Sequence, residues 1–256
     1  MKHILSFSGG KDSTYLAFFL IENGYQLDEA VMFDTGWEFP QMYRHIEKMR
    51  LYFDAAGVKL TILKPKKSFD YLMTQKPVKE RGGGQHYGYS WCGLKGCRWG
   101  TTEKTTALDN YSQQNSGAIV YIGIAADEVE RLEKERKPFK RFPLAENGIK
   151  EADCLSGCYQ RGFTWDGLYE KLDRVSCKYC ALKNLKELRN IYFYMPDVWA
   201  DLRERQTLTD KPYKGEGKSV FQLEVRFELE KERESKGLST TNREFYSELE
   251  KRLSVL

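Results

Sequence analysis

Ser6-Phe7-Ser8-Gly9-Gly10-Lys11-Asp12-Ser13-Thr14 decides how this chain is read. It follows a short apolar run, His3 to Phe7, that reads as a strand, and it precedes an apolar run from about Ser13 that reads as a helix. A glycine pair at that junction lets the backbone take φ > 0 and turn its N–H groups inward. The helix start adds its dipole and its unpaired first-turn amides. The stretch is therefore an anion cradle, and flanking hydroxyls set it apart from a plain turn. Its spacing excludes the Walker loop, which places four residues between its first glycine and Gly-Lys-Ser/Thr.

The pattern continues as strand, helix, strand. A helix from Ser13 to about Asn23 is stopped by Gly24, Glu29 to Phe33 reads as a strand, a helix runs through about Ala56, and Lys59 to Leu63 forms a third strand. After an irregular segment with Gly82, Gly83, Gly84 and Gly88 come a helix near Thr102 to Gln114 and a buried strand from Ala118 to Ile124. Short apolar strands alternating with helices imply an α/β fold with a doubly wound parallel sheet, whose ligands bind at the carboxyl ends of the strands. Asp34-Thr35-Gly36 and Gly123 to Glu128 fall at two such ends, with Arg131 a helical turn farther on. A carboxylate and hydroxyl there can hold a ribose or adenine edge or help place magnesium; capping of the next helix is the competing account.

With 256 residues, 41% of them hydrophobic, the chain can bury one large domain with a small appendage. The apolar run Tyr15 to Ile21 is too short for a bilayer, and the first residues lack the order of a signal peptide, so a cytoplasmic protein is expected. There, six cysteines suit metal ligands or reactive thiols better than disulfides. A net charge of +4 permits a nucleic-acid partner without demanding one. Lys64 to Lys67, and six Lys or Arg against two Glu from Arg131 to Arg141, could meet phosphates or form solvated faces. Tyr87, Tyr89, Trp91 and Trp99 could stack on a base or close a hydrophobic lid.

Residues 1–190 are expected to form the nucleotide-binding domain with a cysteine metal site, and 191–256 a helical C-terminal extension. In that extension Phe221, Val225 and Leu229 keep helical spacing, and a second helix starts near Asn242. Packing on its own domain is the expected role of this face, with homodimerisation or substrate docking as the alternatives. Asp210 to Ser219, with Pro212, Gly215 and Gly217, reads as a linker or mobile loop.

Three elements in order resemble the ATP pyrophosphatase (PP-loop) superfamily, in its phosphoadenylylsulfate (PAPS) reductase family. They are the loop Ser8 to Thr14, the block Asp34-Thr35-Gly36-x-x-Phe39-Pro40, and Cys177-x-x-Cys180 preceded by Phe142-Pro143-Leu144. The resemblance covers about residues 1 to 190 and implies an adenine nucleotide alpha hydrolase-like fold. It implies ATP with its phosphates over Gly9 and Gly10 and Mg2+ bridging the oxygens. Lys11 would pair with phosphate, Asp12 would orient metal or nucleotide, and Ser8, Ser13 and Thr14 would donate hydrogen bonds. Asp34, Thr35, Gly36 and Gly123 complete the implied nucleotide contacts.

The family's iron-sulfur members hold a four-iron cluster with an upstream cysteine pair and a downstream Cys-x-x-Cys. By position these are Cys92 and Cys97 with Cys177 and Cys180, although the upstream pair is adjacent in the family and split here by Gly93-Leu94-Lys95-Gly96. Cys154 and Cys158, at i and i+4, could instead join Cys177 and Cys180 around Zn2+, and buried metal-free thiols are a third reading. The family's reductases attack sulfur with a late cysteine, and none follows Cys180 in this chain. The resemblance thus implies adenylation of an acceptor with pyrophosphate release, for sulfur transfer to a nucleic acid, tRNA or DNA, with a sulfur donor protein as partner. Sulfite production by a sulfonucleotide reductase and a regulatory nucleotide sensor without turnover are the alternatives.

Overall fold

The computed structural model describes residues 1–91, 97 and 101–256. In chain order the elements are β1 (His3–Ser6), α1 (Lys11–Glu22), β2 (Glu29–Phe33), α2 (Pro40–Ala55), β3 (Lys59–Leu63), α3 (Phe69–Thr74), β4 (Pro77–Lys79), β5 (Gln85–Tyr87) and α4 (Glu103–Gln114). There follow β6 (Ile119–Ile122), α5 (Val129–Glu135), β7 (Lys140–Arg141), α6 (Pro143–Glu146), α7 (Glu151–Gln160), α8 (Leu168–Lys171), α9 (Leu185–Tyr194), α10 (Pro196–Thr207), α11 (Val220–Ser235) and α12 (Arg243–Leu253). Contacts divide the chain into two compact units, residues 1–66 with 100–170 and residues 67–99 with 171–256. The boundary expected at 190 lies inside α9.

The first unit is a parallel five-stranded sheet in the order β3-β2-β1-β6-β7. Chain direction across the sheet reverses at β1, with β2 on one side and β6 on the other, so the end of β1 opens at the topological switch point. Alternation along β1 serves both faces. Ile4 packs with Val31, Ala118, Leu108 and Tyr111 under α4, while Phe7 meets Phe53 of α2 edge to face at 5.3 Å. β2 is buried at all five positions, including Glu29 at its start. That carboxylate is bonded by Tyr111 Oη at 2.5 Å, by Thr61 and by Lys2, which together hold its pKa down at about 2 against the pull of burial. The second strip of short elements, β7 and α5 to α6, has too little periodicity to be read from sequence.

The second unit joins α3 and the antiparallel hairpin β4–β5 to α9–α12. α11 uses two stripes. Val220, Leu223 and Phe227 are buried, Phe227 lying 5.8 Å from Trp199 of α10 and 5.9 Å from Tyr192 of α9. Val225 and Leu229 instead cluster with Phe245, Leu249 and Leu253 of α12. The expected stripe through Phe221 is thus half of the answer, because α11 has neighbours on two sides. Asp210 to Ser219 is not a loose linker. Tyr213 is 1% exposed, takes a bond from its own N–H to Gln206 Oε1 at 2.9 Å, and its hydroxyl donates to the Cys180 carbonyl at 2.7 Å. Lys214 Nζ donates to the carbonyls of Ala181 and Lys183 at 2.9 and 2.5 Å. The Pro and Gly content builds the turns of a strap that ties down the cysteine turn.

Candidate functional site

The loop between β1 and α1 is tied by its own hydroxyls. Ser8 N–H donates to Ser13 Oγ at 3.1 Å, the two hydroxyls lie 3.0 Å apart, and Ser13 Oγ donates to the Gly10 carbonyl at 3.1 Å. Only Gly9 takes the left-handed backbone, at φ 75°, and a Cβ there would strike Met42 Sδ at 2.8 Å. Gly10 is extended, φ −76°, and serves as the N-cap of α1, which therefore starts at Lys11, two residues before the sequence pattern suggests. Ser13 and Thr14 are buried, so their hydroxyls hold the loop from within.

Thr14 Oγ1 lies 3.0 Å from His45 Nε2, and the imidazole stacks on Trp165 at 4.4 Å. Burial first, then Lys48, pulls the His45 pKa down to about 3, so the ring is neutral. Trp165 Nε1 donates to the Gly9 carbonyl at 2.8 Å, and Tyr169 Oη accepts the Lys11 backbone N–H at 2.8 Å. Trp165 and Asp166 adopt φ of 50° and 48°, an arrangement L-residues avoid, with Asp166 paired to Arg44 at 2.6 Å. None of His45, Trp165 and Tyr169 is signalled by the sequence. They lie 31 to 158 positions from the loop residues they touch, and no spacing rule connects them.

Lys11 Nζ is held by Asp12 at 3.1 and 3.2 Å and by Glu151 at 3.0 Å. Burial would lower the ammonium's pKa, but the two carboxylates override it and the net shift is upward. Burial raises the Asp12 carboxyl against the opposing charge of Lys11. A carboxylate-bound lysine at the mouth of an amide cradle is a cation that phosphate oxygens can recruit. Glu151 opens α7, which packs on α1 closely enough that a Cβ on Gly157 would meet the Tyr15 ring at 2.1 Å.

Gly123 follows β6 directly against this helix start, where a Cβ would lie 2.9 Å from the Asp12 carbonyl carbon and the Ser13 nitrogen. Across the sheet, Asp34 Oδ1 accepts from Gly36 N–H at 2.8 Å and from Tyr43 Oη at 2.9 Å. Thr35 Oγ1 donates to Glu38 at 2.6 Å and accepts from Trp37 N–H at 3.1 Å, while Gly36 takes φ 74°. The block is a pair of side-chain turns that presents its backbone at the strand end.

The cysteines divide into unlike groups. Cys154 and Cys158 are fully buried on α7, and Cys158 Sγ donates to the Lys11 carbonyl at 3.6 Å. Burial raises both thiols far above the ordinary range, Cys158 to about 12, so they are protonated packing groups. Cys177 and Cys180 share a turn closed by Cys180 N–H to the Cys177 carbonyl at 3.1 Å. Hydrogen bonding from Cys177 is the main cause that brings the Cys180 thiol down from its ordinary range, which favours its thiolate form. Cys97 belongs to the same unit, and Cys92 lies outside the described residues. Among the described residues no three His, Cys, Asp or Glu side chains converge on a metal-sized site. Of the aromatic residues near Cys92, Trp91 is buried edge-on against Tyr213, Tyr87 is exposed, and Trp99 lies outside the described residues. In the basic run, Arg131, Lys134 and Lys140 are paired with Glu128, Glu130 and Glu135. Among the described residues no helix is long and apolar enough to cross a membrane.

Comparison with curated proteins found no match. The family model for the phosphoadenosine phosphosulfate reductase domain matches residues 2–144, which take in the β1–α1 loop, the Asp34 block and Gly123 at the switch point of a parallel sheet. With more than half of its length so matched, the chain belongs to the phosphoadenosine phosphosulfate reductase domain family.

Proposed function

We propose that this chain is a PP-loop enzyme that binds ATP with Mg2+, adenylates an acceptor with release of pyrophosphate, and serves sulfur transfer to a nucleic acid. The observation that carries this reading is the β1–α1 loop: a left-handed Gly9 and an extended Gly10 at the start of α1, with Lys11 already charged and held by two carboxylates. The Asp12 and Ser13 amides, at the second and third helical positions, have no intrahelical acceptor by helix geometry and are the donors a phosphate would take. Lys11 would exchange a carboxylate for phosphate oxygens and Asp12 would then orient the nucleotide or its metal. Neutralising and positioning the phosphates is the protein's main contribution to such a transfer.

Cys177 and Cys180, with Cys92 and Cys97, would hold an iron-sulfur cluster, and the strapped turn that brings Cys177 and Cys180 together supports two of those four ligands. Such a cluster supplies a thiophilic metal site for sulfur. The description of the matched family favours a second reading, reduction of a sulfonucleotide to sulfite. Buried, protonated Cys154 and Cys158 are unsuited to be its nucleophile.

The test is ATP turnover by anaerobically purified protein, with iron and sulfide analysis, given RNA or DNA acceptors. Pyrophosphate and AMP release that is lost in Asp12→Ala, with the fold retained, is the expected outcome. Sulfite release with a thioredoxin would select the second reading, and turnover unchanged by Asp12→Ala would remove Asp12 from its role.

A further inference from the structure

Tyr169 lies outside the matched segment 2–144, yet its hydroxyl sits on the loop. Its oxygen accepts the Lys11 N–H at 2.8 Å, and it hangs 3.4 Å from where a Cβ on Gly10 would stand. An oxygen that accepts from a backbone amide still has its own proton to donate. That proton meets no acceptor among the described residues. The ring is fixed by an edge-to-face contact with Trp165 at 4.9 Å, and Trp165 is in turn bonded to the Gly9 carbonyl at 2.8 Å. Four residues apart, the two side chains bracket the loop, one taking its acceptor and the other its first donor.

The geometry points to Tyr169 as a phosphate-binding residue, relaying the Lys11 amide outward so that the phenol O–H grips a phosphate oxygen of the nucleotide. The assignment rests on the reading of this loop as a triphosphate site. Polarisation of the hydroxyl by the amide strengthens it as a donor. Burial, with the nearby charge of Asp12, keeps the phenol protonated at neutral pH. The strained turn at Trp165 and Asp166 gains a purpose, because it aims both aromatic residues at one loop from a single short segment.

Dissociation constants for ATP and for adenosine, measured on the wild-type chain and on Tyr169→Phe, test this. Phenylalanine keeps the ring against Trp165 and removes the hydroxyl, both the outward donor and the acceptor of the Lys11 amide. The expected result is tighter binding of ATP than adenosine by the wild type, about tenfold weaker ATP binding by Tyr169→Phe, and adenosine binding unchanged. Equal losses for both ligands would make Tyr169 a structural residue and overturn the proposal. Tighter ATP binding by the variant would overturn it too, since the hydroxyl would then be a plug that phosphate must displace. If the wild type favours ATP and the variant matches it, the tyrosine assignment alone falls. Should the wild type bind ATP no better than adenosine, the loop itself is not a phosphate site and both readings fall.

Discussion

Replacing Gly123 with alanine presses on the loop without touching a charge. The added Cβ would stand 2.9 Å from the Asp12 carbonyl carbon, 2.9 Å from the Ser13 nitrogen and 3.0 Å from the Asp12 oxygen. All three are backbone atoms, so no rotamer change relieves the clash. To reach ordinary contact at 3.4 Å, the start of α1 has to withdraw by about 0.5 Å. Overpacking of this kind costs about 1–3 kcal/mol. The shift moves the amides that would face phosphate, and losing about 1.4 kcal/mol from one hydrogen bond to a charged group predicts roughly a tenfold loss of ATP affinity. Gly36→Ala is the comparison: its Cβ meets nothing within 4 Å, so only the strain of φ 74° remains, about 1–2 kcal/mol. Urea unfolding gives the stability and calorimetric titration the affinity. A Gly123→Ala protein that binds ATP like the wild type, at undiminished stability, would refute both the close approach and the loop's part in binding.

Glu29 supplies a pH test. Its folded pKa of about 2 lies below the ordinary 4.5, so the charged form contributes about 3 kcal/mol at neutral pH, lost as pH falls from about 4.5 through about 2. The stability gap between wild type and Glu29→Gln should therefore close over that window, and a gap that stays constant to pH 2 would contradict the assignment. Cys154 and Cys158, with no exposed surface and raised thiol pKa values, should resist alkylation at pH 7 until the chain unfolds, while Cys180 reacts in metal-free protein; labelling followed by peptide mapping decides it. Tyr213→Phe removes the 2.7 Å bond to the Cys180 carbonyl, about 1 kcal/mol, and should speed amide exchange across residues 176–183 roughly fivefold. Unchanged exchange there would mean that the strap does not hold the turn.

What the sequence carries well is whatever neighbouring residues decide. β2 falls where its apolar run places it, because a strand covered on both faces needs an unbroken run and no distant information, and the half-buried edge strand β3 also falls on its expected residues. The loop at Ser8 to Thr14 is legible for the same reason: a glycine pair, a lysine and hydroxyls lie within one turn of a helix start. Even so, composition does not tell which glycine turns left-handed, since Met42 and the N-cap geometry, not the dipeptide, separate Gly9 from Gly10. Proline and glycine mislead at Asp210 to Ser219 in the opposite way. They mark turns truly, but whether a turn is loose depends on Tyr213 and Lys214 finding carbonyls about thirty residues upstream.

The same limit explains the site. A phosphate loop shows in sequence because its donors are backbone amides of adjacent residues, and the groups that hold it do not, because they need only proximity in the fold. Thr14 requires a buried partner and finds it on α2 in His45; the Gly9 carbonyl requires a donor and finds Trp165; the Lys11 amide requires an acceptor and finds Tyr169. Each is the answer to an unsatisfied polar group that folding would otherwise bury at a cost of about 1–3 kcal/mol. Counting the loop's polar groups one by one, and asking which side chain meets each, therefore locates the residues that motif spacing misses. It also separates the two kinds of partner: His45 and Trp165 close the loop's internal accounts, whereas Tyr169 accepts one hydrogen bond and leaves a proton directed at whatever the cradle holds.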